Sequence, residues 1–200
     1  GNPDEYLRIQ KRDGATGQLV PEFGEDGVML YPDKGRSRGW MCDVRDISVT
    51  SNHLYLLGIE RIQTSSWFNR IEKRDKETGE LILEFGEGGV VNSLKPLNAS
   101  DMEVNGDELF VIGNNTISTT GQGDSKTEDL EWHIEKRSAS SGALASGFGA
   151  KGIIRHNPSP GSDHPWAAAA RPDGVYVAGY DGGLAQGGRW RIEKRDCASG

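Results

Sequence analysis

Cysteine is scarce in this sequence, with only two residues among 200, Cys42 and Cys197. That number is far too small for a fold built on disulfides, and with four histidines it offers no zinc-binding spacing, so we predict no metal site. The two cysteines have two interpretations. They are unrelated small residues, or they form a single bridge, across a ring closure or between chains, in an oxidising compartment.

Long hydrophobic runs and an excess of positive charge are missing as well. No apolar stretch approaches the roughly 20 residues that span a bilayer, so we expect no membrane insertion. The formal net charge is −7, and Lys and Arg alternate with Glu and Asp instead of clustering, which argues against nucleic acid as a partner. No secretory signal is present at Gly1. A mature chain would also lack one, so this does not indicate a cytoplasmic protein.

Known catalytic signatures are absent too. The sequence contains no P-loop, no Rossmann fingerprint, no G-x-S-x-G and no H-E-x-x-H, so we predict no cofactor and no catalytic residue. The hydrophobic fraction is only 34%, whereas glycine supplies 28 residues. That composition favours many short strands joined by Gly-containing turns over helices.

One segment recurs four times. Arg70–Asp75 (RIEKRD) has near-copies that begin at Arg8, His133 and Arg191, and three of the four continue into an FG-x-x-G-[VI] tail. The isoleucines of the four copies are 62, 63 and 58 residues apart, a period near 60. Repetition at this length indicates one supersecondary unit that is used several times.

Each repeat is predicted to hold four strands. Asn105-Gly106 and Asp173-Gly174 lie between alternating apolar runs, which is a strong hairpin signal for the first two strands. The RIEKRD copy is the third strand, and in the first copy we expect Leu19–Phe23 to return as the fourth. Such units predict an all-β fold, a β-propeller or partial propeller of four-stranded antiparallel blades. We predict a single repeat domain over 1–200, with a partial blade at 1–30, blades at about 41–91 and 99–154, and a partial blade at 166–200.

The repeat resembles the delta-60 type found in large bacterial surface and secreted proteins. The residues that carry the resemblance are Gly142-Ala143-Leu144, Phe148-Gly149, Gly152-Ile153, Asp173-Gly174, Val175-Tyr176-Val177, Gly179 and Trp190. The departure is the charged E-K-R core of the third strand. The resemblance implies a propeller or propeller-like array, and an extracellular or cell-surface location.

The loop lengths vary on only one side of the predicted blades. The spacing from the third-strand isoleucine to the phenylalanine of the tail is 14 in all three complete copies, whereas the connection from second to third strand is 13, 21 and 13. Binding groups are usually mounted on variable loops. The candidate ligand-binding residues on these loops are Arg36, Arg38, Trp40, His156, Asp163, His164 and Trp166.

Each candidate also has a structural interpretation. The basic segment that ends in Trp40 could hold an anion or a sugar, or it is a solvated loop whose tryptophan packs on a neighbouring blade. The segment from His156 to Trp166 could bring its histidines and Asp163 together, or it is a loop stiffened by prolines. In the E-K-R triplets we expect Glu72 and Arg74 to share one face of the strand and Lys73 to lie on the other.

The strand count leaves the array incomplete. It begins with a third strand at Arg8 and Ile9 and ends with a third strand at Arg191 and Ile192, so both are expected to be unpaired edges, which natural proteins avoid. Either the chain belongs to a longer repeat protein, or it assembles with itself as a homo-oligomer or filament.

These observations favour a non-enzymatic, structural module for extracellular or surface protein binding and assembly. Contacts would be made through the variable loop face or the open terminal strands. The alternative is a propeller-type enzyme, a lyase, hydrolase or quinone-dependent dehydrogenase, with a site at the central opening. Its candidate groups are Arg36, Arg38, His156, Asp163 and His164.

Overall fold

The computed structural model describes residues 7–31, 40–63, 66–93, 97–121, 127–183 and 188–200. Every regular element in these ranges is a β-strand, and the strands pair antiparallel. The all-β class and the four-stranded antiparallel sheets are therefore confirmed. None of the described residues belongs to a helix that is long and apolar enough to cross a membrane. The chain divides into two compact units, residues 1–95 and 96–200.

The first unit contains two sheets. A two-stranded sheet pairs β1 (Leu7–Gln10) with β2 (Val28–Tyr31). A four-stranded sheet follows, in which each strand pairs with its neighbour in sequence. Its strands are β3 (Trp40–Val49), β4 (His53–Gln63), β5 (Ser66–Asp75) and β6 (Val90–Asn92).

The second unit repeats this meander. Its four-stranded sheet consists of β7 (Asn98–Asn105), β8 (Glu108–Thr120), β9 (Thr127–Ser138) and β10 (Ile153–His156). Its three-stranded sheet consists of β11 (His164–Arg171), β12 (Gly174–Asp181) and β13 (Arg189–Arg195). The RIEKRD copies lie on β1, β5, β9 and β13, so the motif marks the third strand of every repeat.

The predicted fourth strand at Leu19–Phe23 is wrong. Leu19 forms only an isolated bridge to Arg12, and β1 pairs with Val28–Tyr31 instead. The reason is that the FG-x-x-G segment is a loop and not the end of a strand. Gly24 and Gly27 both have positive φ, and the chain turns there to bring the next residues beside β1.

The two glycines of the loop are required by close backbone approaches. In the corresponding loop of the second unit, a Cβ on Gly149 would overlap the carbonyl oxygen of Ile153, and one on Gly152 would lie 2.8 Å from the Cβ of Leu144. Both also have positive φ, a region that L side chains rarely adopt. The constant F-G-x-x-G pattern therefore records the shape of one tight loop.

The polar segment Asn114–Asp129, which accounts for the long connection of 21 residues, is largely β-structure. The pairing of β8 with β9 continues outward to Thr120 opposite Thr127, and their hydroxyl oxygens lie 2.6 Å apart. Threonine and isoleucine, which recur in this segment, are β-branched and enriched in strands. Residues 122–126 lie outside the described ranges.

The sheets of each unit pack through two different faces. We call the face that carries the third-strand isoleucine the front face, and the opposite one the back face. In the second unit the front face of β7–β10 packs on the back face of β11–β13, and a single apolar core results. That core contains Phe110, Ile112, Trp132, Ile134, Phe148, Ala170, Val175 and Val177.

The first unit has the same kind of junction. The front face of β1–β2, with Ile9, is packed on the back face of β3–β6, where Leu54 and Leu56 lie. Phe23 from the FG loop completes this core. Because the same positions meet in both units, the sheet-to-sheet junction is a repeated feature of the fold.

Candidate functional site

The charged triplet of the third strand is a buried ion-pair ladder. In β5, Arg74 donates from Nε to Glu72 at 2.8 Å and from Nη1 to the carbonyl oxygen of Gly79 at 2.6 Å. Arg70 donates to the same carboxylate at 2.5 Å, and Glu72 has no exposed surface. The prediction that Glu72 and Arg74 share one face is confirmed.

The second unit reproduces the ladder with a histidine in the first position. Arg137 donates to Glu135 at 2.9 Å and to the carbonyl oxygen of Gly142 at 2.9 Å, and His133 Nε2 lies 3.1 Å from Glu135. Burial raises the pKa of Glu135, but the hydrogen bond from His133 and the charge of Arg137 outweigh it and hold that pKa below its ordinary value. Both oxygens of this carboxylate are therefore engaged within its own strand.

The lysine of the triplet lies on the other face, over an aromatic ring of the second strand. Lys73 Nζ is 5.6 Å from the centre of the Tyr55 ring, and Lys194 Nζ is 5.2 Å from that of Tyr176. Lys136 lies over Phe110 in the same way, at 5.8 Å. Such cation–π contacts stabilise a strand pair, so the lysine has a structural role in three of the four copies of the motif.

The aspartate that ends the motif closes a turn. Asp75 Oδ1 accepts hydrogen bonds from the backbone N–H groups of Glu77 and Thr78, both at 2.8 Å. The bond from Thr78, chiefly, holds the pKa of Asp75 below its ordinary value, against the opposing effect of burial. Asp13 and Asp196 accept equivalent backbone bonds. The repeated D-x-x-[TS]-G pattern therefore encodes a turn.

Neighbouring repeats are joined by a backbone hydrogen bond, which we call the clasp. The N–H of Gly24 in one FG loop donates to the carbonyl oxygen of Thr78 in the turn of the next repeat, at 2.9 Å. In the second unit Gly149 donates to Ser199 at 3.0 Å. Phe148, beside this clasp, is buried.

Asp163, the candidate ligand-binding acid, organises its own loop. It has no exposed surface, and its carboxylate accepts from the N–H of Ser159 at 3.0 Å, from the Ser159 hydroxyl at 2.6 Å and from the N–H of Gly182 at 2.9 Å. A carboxylate bound in this way holds two chain segments together. The structural interpretation of the proline-rich loop is the one that this geometry favours.

The two candidate histidines have different partners. His164 Nδ1 lies 3.0 Å from Asn114 Nδ2, whereas His156 Nδ1 lies 2.7 Å from Arg195 Nη2 and 3.7 Å from Glu193. Among the described residues no three His, Cys, Asp or Glu side chains are grouped so that they could hold a metal ion.

Trp166 belongs to an exposed aromatic cluster on the front face of the three-stranded sheet. Its ring is stacked on Tyr180, with centres 6.1 Å apart, and meets Trp190 edge-on at 5.5 Å. Three strands contribute one ring each. Of these three rings, the sequence pattern identified only Trp166 as a candidate binding residue. The signal that reveals Trp190 is its alignment with Trp132, since each lies two positions before the third-strand isoleucine of its repeat.

The remaining candidates are only partly described. Arg36 and Arg38 lie outside the described residues, as do the side chains of Trp40 and Cys42, although both of these belong to β3. Burial raises the pKa of the Cys197 thiol. The bridge between the two cysteines stays a prediction.

The predicted terminal edges both lie in paired strands that have a second, open side. Arg8 and Ile9 pair with β2, and Arg191 and Ile192 pair with β12. Within the described ranges, no strand is bonded to the other edge of β1 or of β13. By contrast, the third strands β5 and β9 are paired on both sides.

Comparison with known proteins gives no relative: no protein-family model, curated protein or solved structure matches the chain.

Proposed function

We propose that this chain is a non-enzymatic repeat module of the β-propeller type, whose function is structural assembly and binding at the cell surface or outside the cell. Its exposed sheet face and open strand edges are the contact surfaces, and its partners are further units of the same kind. The delta-60 resemblance supports the extracellular location.

The observation that carries this proposal is the use of the ionisable residues of the repeat. Glu72 and Arg74, Lys73 and Asp75 are each engaged in a ladder, a cation–π contact or a turn. The same roles recur in the second unit. Because these charged groups bind one another within the fold, we infer that the module makes its external contacts through its exposed sheet face and its open strand edges.

The rival enzyme hypothesis needs candidate groups that meet at one opening. Asp163 is bonded within its loop, and His164 and His156 have separate partners. This arrangement favours the binding module over a lyase, hydrolase or dehydrogenase.

Light scattering coupled to size exclusion, from low to high micromolar concentration, tests the assembly hypothesis. We expect the mass to rise with concentration, because the open edges of β1 and β13 promote association. A folded chain that stays monomeric at every concentration would contradict self-assembly.

A further inference from the structure

Trp132 and Trp190 occupy the same position of successive third strands but have opposite environments. Trp132 is fully buried, whereas 77% of Trp190 is exposed. The adjacent isoleucines differ in the same way, since Ile134 is fully buried and 77% of Ile192 is exposed. Large apolar residues with this much exposure are informative when they lie together on one face.

The front face of β11–β13 is the equivalent of the front face of β7–β10. Lys194 lies opposite Tyr176 across β12 and β13, as Lys136 lies opposite Phe110 across β8 and β9. Ile192 lies opposite Ala178. The third strand of the exposed face therefore carries the same tryptophan, isoleucine and lysine as the third strand of the buried one.

The chain itself shows what covers the equivalent front face of β7–β10. The front face of β7–β10 is covered by the first two strands of the next sheet, through Ala168, Ala170, Val175 and Val177. A Cβ on Gly179 would lie 2.8 Å from the ring of Trp132, so the glycine leaves room for the indole. The buried Trp132 is thus accommodated by small apolar side chains and one glycine of the next sheet.

We propose that the front face of β11–β13 is a docking surface for the back face of one further four-stranded unit of this repeat. The first two strands of that unit carry small apolar residues at the positions of Ala168, Ala170, Val175 and Val177. A glycine at the position of Gly179 receives Trp190. This inference rests on the proposed function, because it specifies the partner of a repeat module.

Apolar residues are also exposed at the N-terminal end of the array, there on the back face of a sheet. β1 and β2 have no first and second strands beside them within the described residues, and they leave part of the back face of β3–β6 open. Val49 on β3 is 58% exposed and Ile47 is 48% exposed, whereas Ala170, at the position of Val49, is buried. Apolar residues are thus exposed where a neighbouring sheet is incomplete.

A second copy of this chain fits the surface less well than a further unit. The occupant needs first and second strands with an open back face. The back face of β11 and β12 is already covered, and that of β3 and β4 is partly covered by β1–β2. Met102, Leu109 and Val111, at the matching positions of β7 and β8, are buried. In the described ranges, no complete back face is therefore available to another copy.

The turn after β13 makes a direct test possible. Gly200 donates to the carbonyl oxygen of Asp196 at 2.9 Å, as Gly142 donates to that of Ser138 at 2.7 Å. Gly142 and Gly200 occupy the same repeat position, so a second copy of residues 143–200 fused after Gly200 adds one unit in register. Ile192→Cys is then placed in the original unit, with every other cysteine replaced by serine.

The readout is the rate of thiol labelling at low protein concentration. We expect Ile192→Cys to react rapidly in the 200-residue chain and at least about tenfold more slowly in the extended chain, because a covered thiol is shielded from reagent. Leu83→Cys, at a site that is 63% exposed, should react equally fast in both. Lysine at the copies of Val175 and Val177 should restore rapid labelling.

Rapid labelling of Ile192→Cys in the extended chain would overturn the proposal, whether the added unit folds elsewhere or stays unfolded. Slow labelling in the 200-residue chain that depends on concentration would also overturn it, since a second copy would then be the occupant. The light-scattering test is separate. A monomeric 200-residue chain with a protected extended form would contradict self-assembly and still support the docking surface.

Discussion

Arg74 donates to Glu72 at 2.8 Å, and the carboxylate it binds is entirely removed from solvent. A buried ion pair is weak evidence for stability as such, because desolvation offsets much of the attraction. Removing one partner is different, since it leaves a buried charge with less compensation.

Arg74→Met is therefore expected to lower the free energy of unfolding by about 3 kcal/mol, near the low end for broken buried pairs because Arg70 still contacts Glu72. Urea unfolding followed by circular dichroism measures it. Arg12→Met is the matched control, since Arg12 donates to the neutral Gln10 in an exposed setting and should cost less than about 1 kcal/mol. Equal losses in the two variants would contradict the buried ladder.

Gly149→Ala and Gly147→Ala form a second matched pair. A Cβ on Gly149 would overlap the Ile153 carbonyl oxygen at a positive φ, whereas a Cβ on Gly147 meets nothing within 4 Å. We expect Gly149→Ala to destabilise the chain by about 2 kcal/mol or more, and Gly147→Ala to have little effect. Thermal unfolding of both variants checks this. Tolerance of alanine at position 149 would mean that the FG loop is not as tight as described.

The lowered pKa of Glu135 predicts that the folded chain loses stability in acid. Because its pKa is lowered in the folded chain, its contribution to stability is complete above the ordinary glutamate value of about 4.3 and is lost as the pH falls through the folded value. Stability should therefore decline below about pH 4.3. Glu135→Gln should have a shallower decline in that window. Unfolding measured from pH 3 to 6 in both proteins decides it, and parallel curves would assign the acid sensitivity to other groups.

Trp132 and Trp190 allow a test of exposure in solution. Trp132→Ala removes a buried indole and should cost about 3–5 kcal/mol. Trp190→Ala removes an exposed one and should cost about 1 kcal/mol or less, chiefly through its edge-on contact with Trp166. Equilibrium unfolding at low protein concentration compares them. A large loss for Trp190→Ala would show that this residue is already covered.

Much of the fold could be predicted from the repeats, because strand periodicity and hairpin turns are local signals. The third strands and the hairpins at Gly106 and Asp173 follow from alternation and turn residues. The fourth strand was misplaced because Leu19–Phe23 contains three large apolar residues, whereas its role as a loop depends on positive φ at Gly24 and Gly27. Those dihedral angles are set by contacts within the loop that alternation does not reveal.

The candidate site was harder to predict. Asp163 is a residue type that often binds ligands, but its carboxylate is hydrogen-bonded within its own loop. Only the folded chain shows which donors surround it. Trp190 was recognised only as part of the repeat pattern and not as a site residue, because a tryptophan in a strand does not by itself indicate a binding surface. Its meaning comes from the contrast with Trp132, which requires knowing which sheet faces are covered.

The clasp has a consequence for how the chain comes apart. Because Gly149 bonds to Ser199 and Gly24 to Thr78, fraying of one repeat removes a hydrogen bond from its neighbour. Stability in such an array is a sum of terms within repeats and terms between neighbours. In the second unit, amide hydrogens of the doubly paired β9 should exchange more slowly than those of β13. Unfolding should then begin at β13, which has an open edge, and proceed to the neighbouring repeat.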